Sequence, residues 1–468
     1  MVSLESIEKI FFDFHPGQIV LYLTGMALFL LFLLGYKKNY LIVLIQGTSL
    51  FTASLLFILD LDINASTDKM NLHCEILILV TAIFSTISFA LNRFKTKFFS
   101  PKLSSCFFIS IFSLLQTLRC KDFLSLFLTI DLFSICIYQI IWNLEKTRKS
   151  HEAAIKFFIL HMTASFIFLF SVAIIYRNLG TIDFEKILKI NNYNKQFFLL
   201  NTSFILMISS LSLRIGLFPF HTWKPDIFEA LPSSIAFFIS TNCQIIFFMT
   251  LFKLNQIYLN FDFLQSASIF SILSYLSIIL GTLLAINQTS IKRFLAYLSI
   301  SHAGCVCTLF TVSHLNSNGF KEGLLNYFVS YCFFSWLNTL TISKLEKNKS
   351  ETLQICDLKG LWKIDPLLSI ALLVGLVNYL CIPLTFGFLA KFINIHLLLS
   401  NYRYDLIVLI GLSNIVSFYF IFKIFGQIFF NFNNTEINTF LIKKNSIHYK
   451  IILVLTIISS ILLGIFRA

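Results

Sequence analysis

The feature that most constrains this chain is a series of continuous apolar runs, each near the length of a membrane-crossing helix. They fall at about 19–36, 40–59, 75–92, 104–118, 123–142, 155–176, 198–219, 233–252, 264–286, 294–313, 323–343, 367–393, 405–427 and 449–466, about fourteen in all. Inside a bilayer every backbone N–H and C=O must find a partner within the protein, so only helices and closed barrels span it. A barrel strand reads as about ten alternating residues, whereas these runs are unbroken. Charged residues make up 13% of the chain and hydrophobic ones 57%, against roughly 25% charged in a soluble domain. The expected fold is therefore all-α: a polytopic membrane protein of about fourteen transmembrane helices in a single membrane domain, 1–468. The longest loops, about 177–197, 344–366 and 428–448, are rich in Asn and Lys and leave no room for a soluble domain.

The net charge of +13 orients the chain in the membrane rather than recruiting nucleic acid. Loops after odd-numbered spans hold about 20 Lys and Arg, and the other loops with the N-terminus about 12, which assigns the odd loops to the matrix or cytoplasmic side. Both termini are expected on the opposite side. The ten Cys lie mostly inside apolar runs, with no zinc or iron–sulfur spacing, so no metal is expected. Phe occurs 56 times, Gly 16 and Pro 7, a bias toward AT-rich codons that points to an organelle-type genome. Residues 1–18 carry Glu5, Glu8 and Asp13, unlike an acid-poor transit peptide.

Two spans are interrupted. In 213–232 three prolines (219, 225 and 232) accompany Arg214, His221, Lys224, Asp226 and Glu229. In 381–392 Pro383 and Gly387 break a run that also holds Lys391. Proline removes a backbone donor and breaks a helix, and broken backbone at membrane depth survives only when buried in protein or lining a water-filled cavity. Five spans separate the two breaks. Corresponding broken helices in two halves point to a transporter-like inverted repeat, with helices broken near Pro219 and Pro383. The expected divisions are N-terminal helices over 1–103, a first five-helix repeat over 104–252, a second over 264–427, and a last loop and helix over 428–468.

Four blocks resemble the antiporter-like subunits of respiratory complex I, in particular the NADH dehydrogenase subunit 2 branch (subunit N in bacteria). They are Arg-Ile-Gly-Leu-Phe-Pro-Phe-His-Thr-Trp-Lys-Pro-Asp-Ile-Phe-Glu-Ala-Leu-Pro (214–232), Gln-Thr-Ser-Ile-Lys-Arg-Phe-Leu-Ala-Tyr-Leu-Ser-Ile-Ser-His-Ala-Gly (288–304), Asp-Leu-Lys-Gly-Leu (357–361) with the block ending at Phe392, and Asp122–Tyr138 with Glu-Ala-Ala-Ile-Lys-Phe (152–157). The sister subunits 4 and 5 share the fold, but 233–252 lacks the His they carry there, and the first block ends in Phe-Glu-Ala-Leu-Pro.

The resemblance implies a proton relay and assigns its members. Asp131 stands where the family has a functional Glu, and Arg214 where a Lys pairs with that acid, so an Asp131–Arg214 ion pair is expected. Arg cannot release its proton in a protein, which limits Arg214 to a fixed counter-charge. Gln244 replaces a central Lys. Lys156 matches a second family Lys. His302 can relay protons near neutral pH, and Lys391 keeps the family identity beside its break. Pro219, His221, Tyr297 and Pro383 support the broken helices. Lys391 and His302 are expected in one hydrated half, with a gap near Gln244 bridged by water, Ser240 or Tyr297. His73, His151, His161 and His396 show no metal spacing and read as loop or packing residues.

By the same resemblance the chain is a proton-translocating membrane-arm subunit of an NADH:ubiquinone oxidoreductase in the mitochondrial inner membrane. Its expected partners are antiporter-like subunit 4, the small subunits beside it and membrane lipids. The chain lacks a Gly-rich dinucleotide loop and a cysteine cluster. NADH, FMN, iron–sulfur clusters and ubiquinone would therefore be used elsewhere in the complex, with no catalytic redox group here. The competing readings are a stand-alone cation/proton antiporter and a structural subunit with a degenerate relay.

Overall fold

A computed structural model describes residues 69–91, 100–144, 147–189, 197–259, 266–313, 317–346, 353–380, 382, 385–429 and 447–466. The runs expected at 19–36 and 40–59, the loop from 430 to 446, and Pro383 lie outside the described residues. Elsewhere each apolar run coincides with a helix, or with two for 367–393, with outer ends that differ from the expected limits by up to seven residues, and the described residues are almost wholly helical. Nine helices among them are long and apolar enough to cross a membrane. The chain divides into two compact units, Met1–Leu144 and Glu145–Ala468.

In the first unit, α1 (Lys69–Leu91) and α3 (Phe123–Leu144) each pack on α2 (Pro101–Arg119). Pro101 opens α2 at a position where its missing N–H costs nothing. Ser104, Ser110, Ser113 and Thr117 each turn their hydroxyl onto the carbonyl three residues back, which hides these groups from the apolar surroundings. The buried Glu75 carboxylate accepts two hydrogen bonds from Arg119, at 2.6 and 2.8 Å. Leu124, Leu128, Leu132 and Ile135 leave an exposed apolar stripe on α3, as contact with lipid requires.

The second unit begins with α4 (Arg148–Leu179), capped by Thr147 and Ser150 and ended by Gly180 in the left-handed region. The short α5 (Phe184–Leu188) precedes α6 (Phe197–Ile215), α7 (Trp223–Ala230) and α8 (Ser233–Leu259). Then come α9 (Ser266–Ile286), α10 (Ile291–Phe310) and α11 (Ser317–Leu345). A 3-10 turn at Ile355–Leu358 and α12 (Leu361–Ile364) lead to α13 (Pro366–Leu380), α14 (Phe386–Ser400), α15 (Tyr404–Phe429) and α16 (Ile447–Phe466).

The run at 198–219 ends early, at Ile215, and the run at 367–393 is two helices, α13 and α14. Both expected breaks are therefore present. Burial separates centre from rim: the spans in α8 and α10 are 94% and 89% buried, those in α4, α9 and α15 only 39%. Polar groups confined to α8 and α10 consequently lie in the middle of the unit. The segments around Lys149, Glu229, Lys292, Arg293 and Glu346 meet at one end. These segments follow the fifth, seventh, ninth and eleventh expected spans, so the described helices alternate as the charge count requires.

Candidate functional site

The two breaks use one device. At the first, Gly216 takes φ +78°, a conformation that favours glycine, and turns the chain out of α6. A helix end leaves its last carbonyls without partners. Trp223 Nε1 donates to Leu213 O at 3.0 Å, and Lys224 Nζ reaches Ile215 O at 3.5 Å. Both side chains are fully buried. At the second break, Lys391 Nζ donates to Tyr379 O at 2.8 Å and to Asn414 Oδ1 at 2.7 Å, and stands 4.7 Å from the Tyr379 ring centre. In both cases a lysine of the following half-helix closes a carbonyl left open by the preceding one.

Between the breaks lies a buried polar row. His302 on α10 faces Tyr331 and Tyr327 of α11, with ring centres 4.8 and 5.2 Å away, and Tyr379 of α13 at 6.3 Å. Electrostatically it feels both Lys391 and Lys224. Tyr331 shares a 2.6 Å hydrogen bond with Ser240 of α8, and the Tyr379 and Ser301 hydroxyls also meet. Gln244 donates to Ser299 O at 2.9 Å. Asn394 donates to Cys305 O, Thr308 and the Tyr327 hydroxyl. Lys391 and His302 thus share one half of the unit, joined through Tyr379. Ser240 lies one helical turn before Gln244 on α8. Tyr297 is half-buried and faces His221, ring centres 6.3 Å apart.

Arg214 is buried and donates through Nη2 to Ser165 Oγ at 2.6 Å, while Ser165 bonds on to His161 O. His161 is buried too, stacked on Phe157 at 3.9 Å, and neither ring nitrogen has a protein partner. Asp131 is half-buried on α3 of the first unit.

Lys156 stands outside the row. Nearly half exposed, it pairs with Asp226 at 2.7 Å and Glu152 at 2.9 Å. With Lys149, Glu229 and Arg293 these groups line a cavity of about 150 Å³. A carboxylate neighbour satisfies the Lys156 ammonium where it stands, and nothing draws it inward. Glu229 pairs with Lys149 at 2.8 Å and with Arg293. Partial burial works to raise the Glu229 carboxyl, but the Lys149 hydrogen bond and the two cations outweigh it, leaving the group below its ordinary value. A lowered carboxyl stabilises the fold above the unfolded carboxylate range and loses that contribution as pH falls through its folded value. Glu229→Gln should therefore cost about 1 kcal/mol at pH 7, with the gap to wild type closing below about pH 4. Melting curves in detergent across that range check it; a gap that persists in acid contradicts the ion-pair account.

The transmembrane family described as NADH:quinone oxidoreductase/Mrp antiporter matches residues 120–417, which includes both breaks and the row between them. The chain belongs to this family. It is 32% identical to NADH-quinone oxidoreductase subunit N of Blochmanniella floridana over 337 residues, 68% of this chain and 67% of the relative. It is 29% identical to subunit N of Flavobacterium psychrophilum over 405 residues, 85% and 86% of the two chains. The fold matches a chain of respiratory complex I from Thermus thermophilus with TM-score 0.80 at 21% identity, covering 96% of this chain and 97% of that one. It matches a chain of the Mrp complex from Dietzia equally well, TM-score 0.81 at 13% identity, over 97% and 94%.

The family motifs led to Lys391, His302, Gln244 and Arg214, all of which are buried in the second unit. They did not lead to Lys224, His161 or the tyrosines 327, 331 and 379. For Lys224 a signal existed. Helical spacing sets it on one face with Ile227, Phe228 and Leu231, opposite Asp226 and Glu229, and that face is buried. His161, by contrast, sits on a span whose other residues are mostly apolar, and its proximity to Arg214 is a product of packing. Among the described residues no group of three His, Cys, Asp or Glu side chains is placed to hold a metal.

Proposed function

We propose that this chain is a proton-translocating membrane-arm subunit of a respiratory NADH:quinone oxidoreductase, equivalent to subunit N of its bacterial relatives. The observation that carries the reading is the buried row from the first break to Lys391, made of groups that can accept, pass on or hold a proton. The row supplies no electron carrier. Oxidation of NADH and reduction of quinone, with FMN and iron–sulfur clusters, would then belong to other subunits, and this chain would answer them through charge and conformation. On the strength of the motif match, Arg214 is the fixed positive charge of the first repeat, 104–252, and Asp131 is that repeat's proton-accepting acid. Lys391 and His302 serve the second repeat, 264–427, and the cluster around Lys156 passes protons from the aqueous surface.

The neighbours in this reading are an antiporter-like subunit of the subunit-4 type, the small membrane subunits beside it, and lipids along the exposed apolar faces. The membrane is the energy-coupling one: the mitochondrial inner membrane for an organelle gene, the plasma membrane for a bacterial one. The test is native purification from that membrane with identification of co-migrating chains. Co-migration with NADH dehydrogenase activity on a native gel is expected. Migration apart from it would make the chain a stand-alone antiporter and overturn the reading.

A further inference from the structure

We propose that Lys224 is a proton-carrying residue of the first break, occupying in space the role left vacant by Gln244 in sequence. The inference rests on the proton-translocation reading and names a further member of its relay. Three observations carry it. Lys224 is fully buried, yet the hydrogen bond that holds its ammonium group is a 3.5 Å contact with Ile215 O. An ammonium has three donors to satisfy, and burying it with one long bond is costly. Lys391 at the matching break is held by two short bonds; Lys224 is held loosely enough to exchange a proton. Finally, its charge acts on Cys243, the neighbour of Gln244, and on His302. Lys224 therefore projects toward the place where the resemblance puts a lysine on α8.

With Lys224 included, the row becomes Lys224, Gln244 with Ser299, Tyr331 with Ser240, His302, Tyr379 and Lys391. Its two ends are titratable amines and its middle holds an imidazole. In the step, one N–H bond of the Lys224 ammonium breaks and one N–H bond forms on the His302 ring, through hydroxyls or water between them. The amine becomes neutral, the imidazole becomes cationic, and no electron moves. Arg214 cannot take this part, because its guanidinium keeps its proton.

A residue that only closes Ile215 O would be served by any cation of similar reach. The test therefore uses Lys224→Arg, which keeps the charge and the donors but not the exchangeable proton, together with Lys224→Met and the double variant Lys224→Met with Gln244→Lys. Each is introduced in the full chain in its native membrane complex, with assembly read on a native gel. Proton uptake into vesicles is measured against NADH oxidised, with Lys391→Met alongside. Expected are assembled Lys224→Arg and Lys224→Met complexes whose proton-to-NADH ratio falls at least twofold, and a double variant that regains most of the loss. Wild-type ratios in Lys224→Arg and Lys224→Met beside a loss in Lys391→Met would overturn the role of Lys224 and leave the proposed function standing. Wild-type ratios in all three would overturn both. Failure of both single Lys224 variants to assemble, or a double variant no better than Lys224→Met, would make Lys224 a structural cap and overturn the proposal.

Discussion

Gly387→Ala is expected to destabilise the chain by about 3 kcal/mol or more and to remove most of it from the membrane. A Cβ at this position would run into the backbone oxygen of Asn378. Backbone cannot rotate aside as a side chain can, so α13 and α14 would have to separate at the break. That separation would draw Tyr379 O away from Lys391 and open the buried row. Gly411→Ala is the control: its Cβ meets nothing within 4 Å, and in a helix Ala is the better residue by about 1 kcal/mol. Thermal melting in detergent and steady-state protein level check both. A Gly387→Ala chain that accumulates and melts like wild type contradicts the close crossing at the second break.

Lys391→Met is the second large effect. Methionine matches the length of the lysine stem but carries neither charge nor donor. Tyr379 O and Asn414 Oδ1 both lose their partner, and a buried acceptor left open costs about 1–3 kcal/mol. The loss to proton transfer is larger, about tenfold or more where a positioned proton donor is removed. The expected complex is assembled but less heat-stable, with coupled NADH oxidation reduced by that factor. Unchanged coupling would reduce Lys391 to a structural cap of α13.

Why the sequence led so far, and no further, has a physical basis. Helix length in a bilayer is set by hydrocarbon thickness, so the apolar runs at 233–252 and 294–313 marked α8 and α10, with ends that differ by up to seven residues. Proline and glycine mark breaks because their backbone chemistry is local, and both breaks were legible. What a side chain meets across the bundle is not local. Lys156 and Lys224 are both lysines near the same end of the second unit, yet one faces Asp226 at the surface and the other is fully buried. Family motifs favoured the first, because they record residue identity and not direction. Likewise Ser240 and Tyr297 were equally available near Gln244 on composition, and only packing sets Ser240 against Tyr331 of α11 and Tyr297 beside His221.

The central claim, that this chain moves protons through a buried row ending at Lys391, is tested most directly by Lys391→Arg. Arginine retains the positive charge and can hydrogen-bond Tyr379 O and Asn414, but it does not release its proton. The measurement is the number of protons taken up per NADH oxidised in sealed vesicles. The account predicts a complex that assembles and oxidises NADH but takes up fewer protons per NADH than wild type. A Lys391→Arg complex with the wild-type ratio and turnover would contradict it, because a fixed charge would then suffice where the account requires a mobile proton.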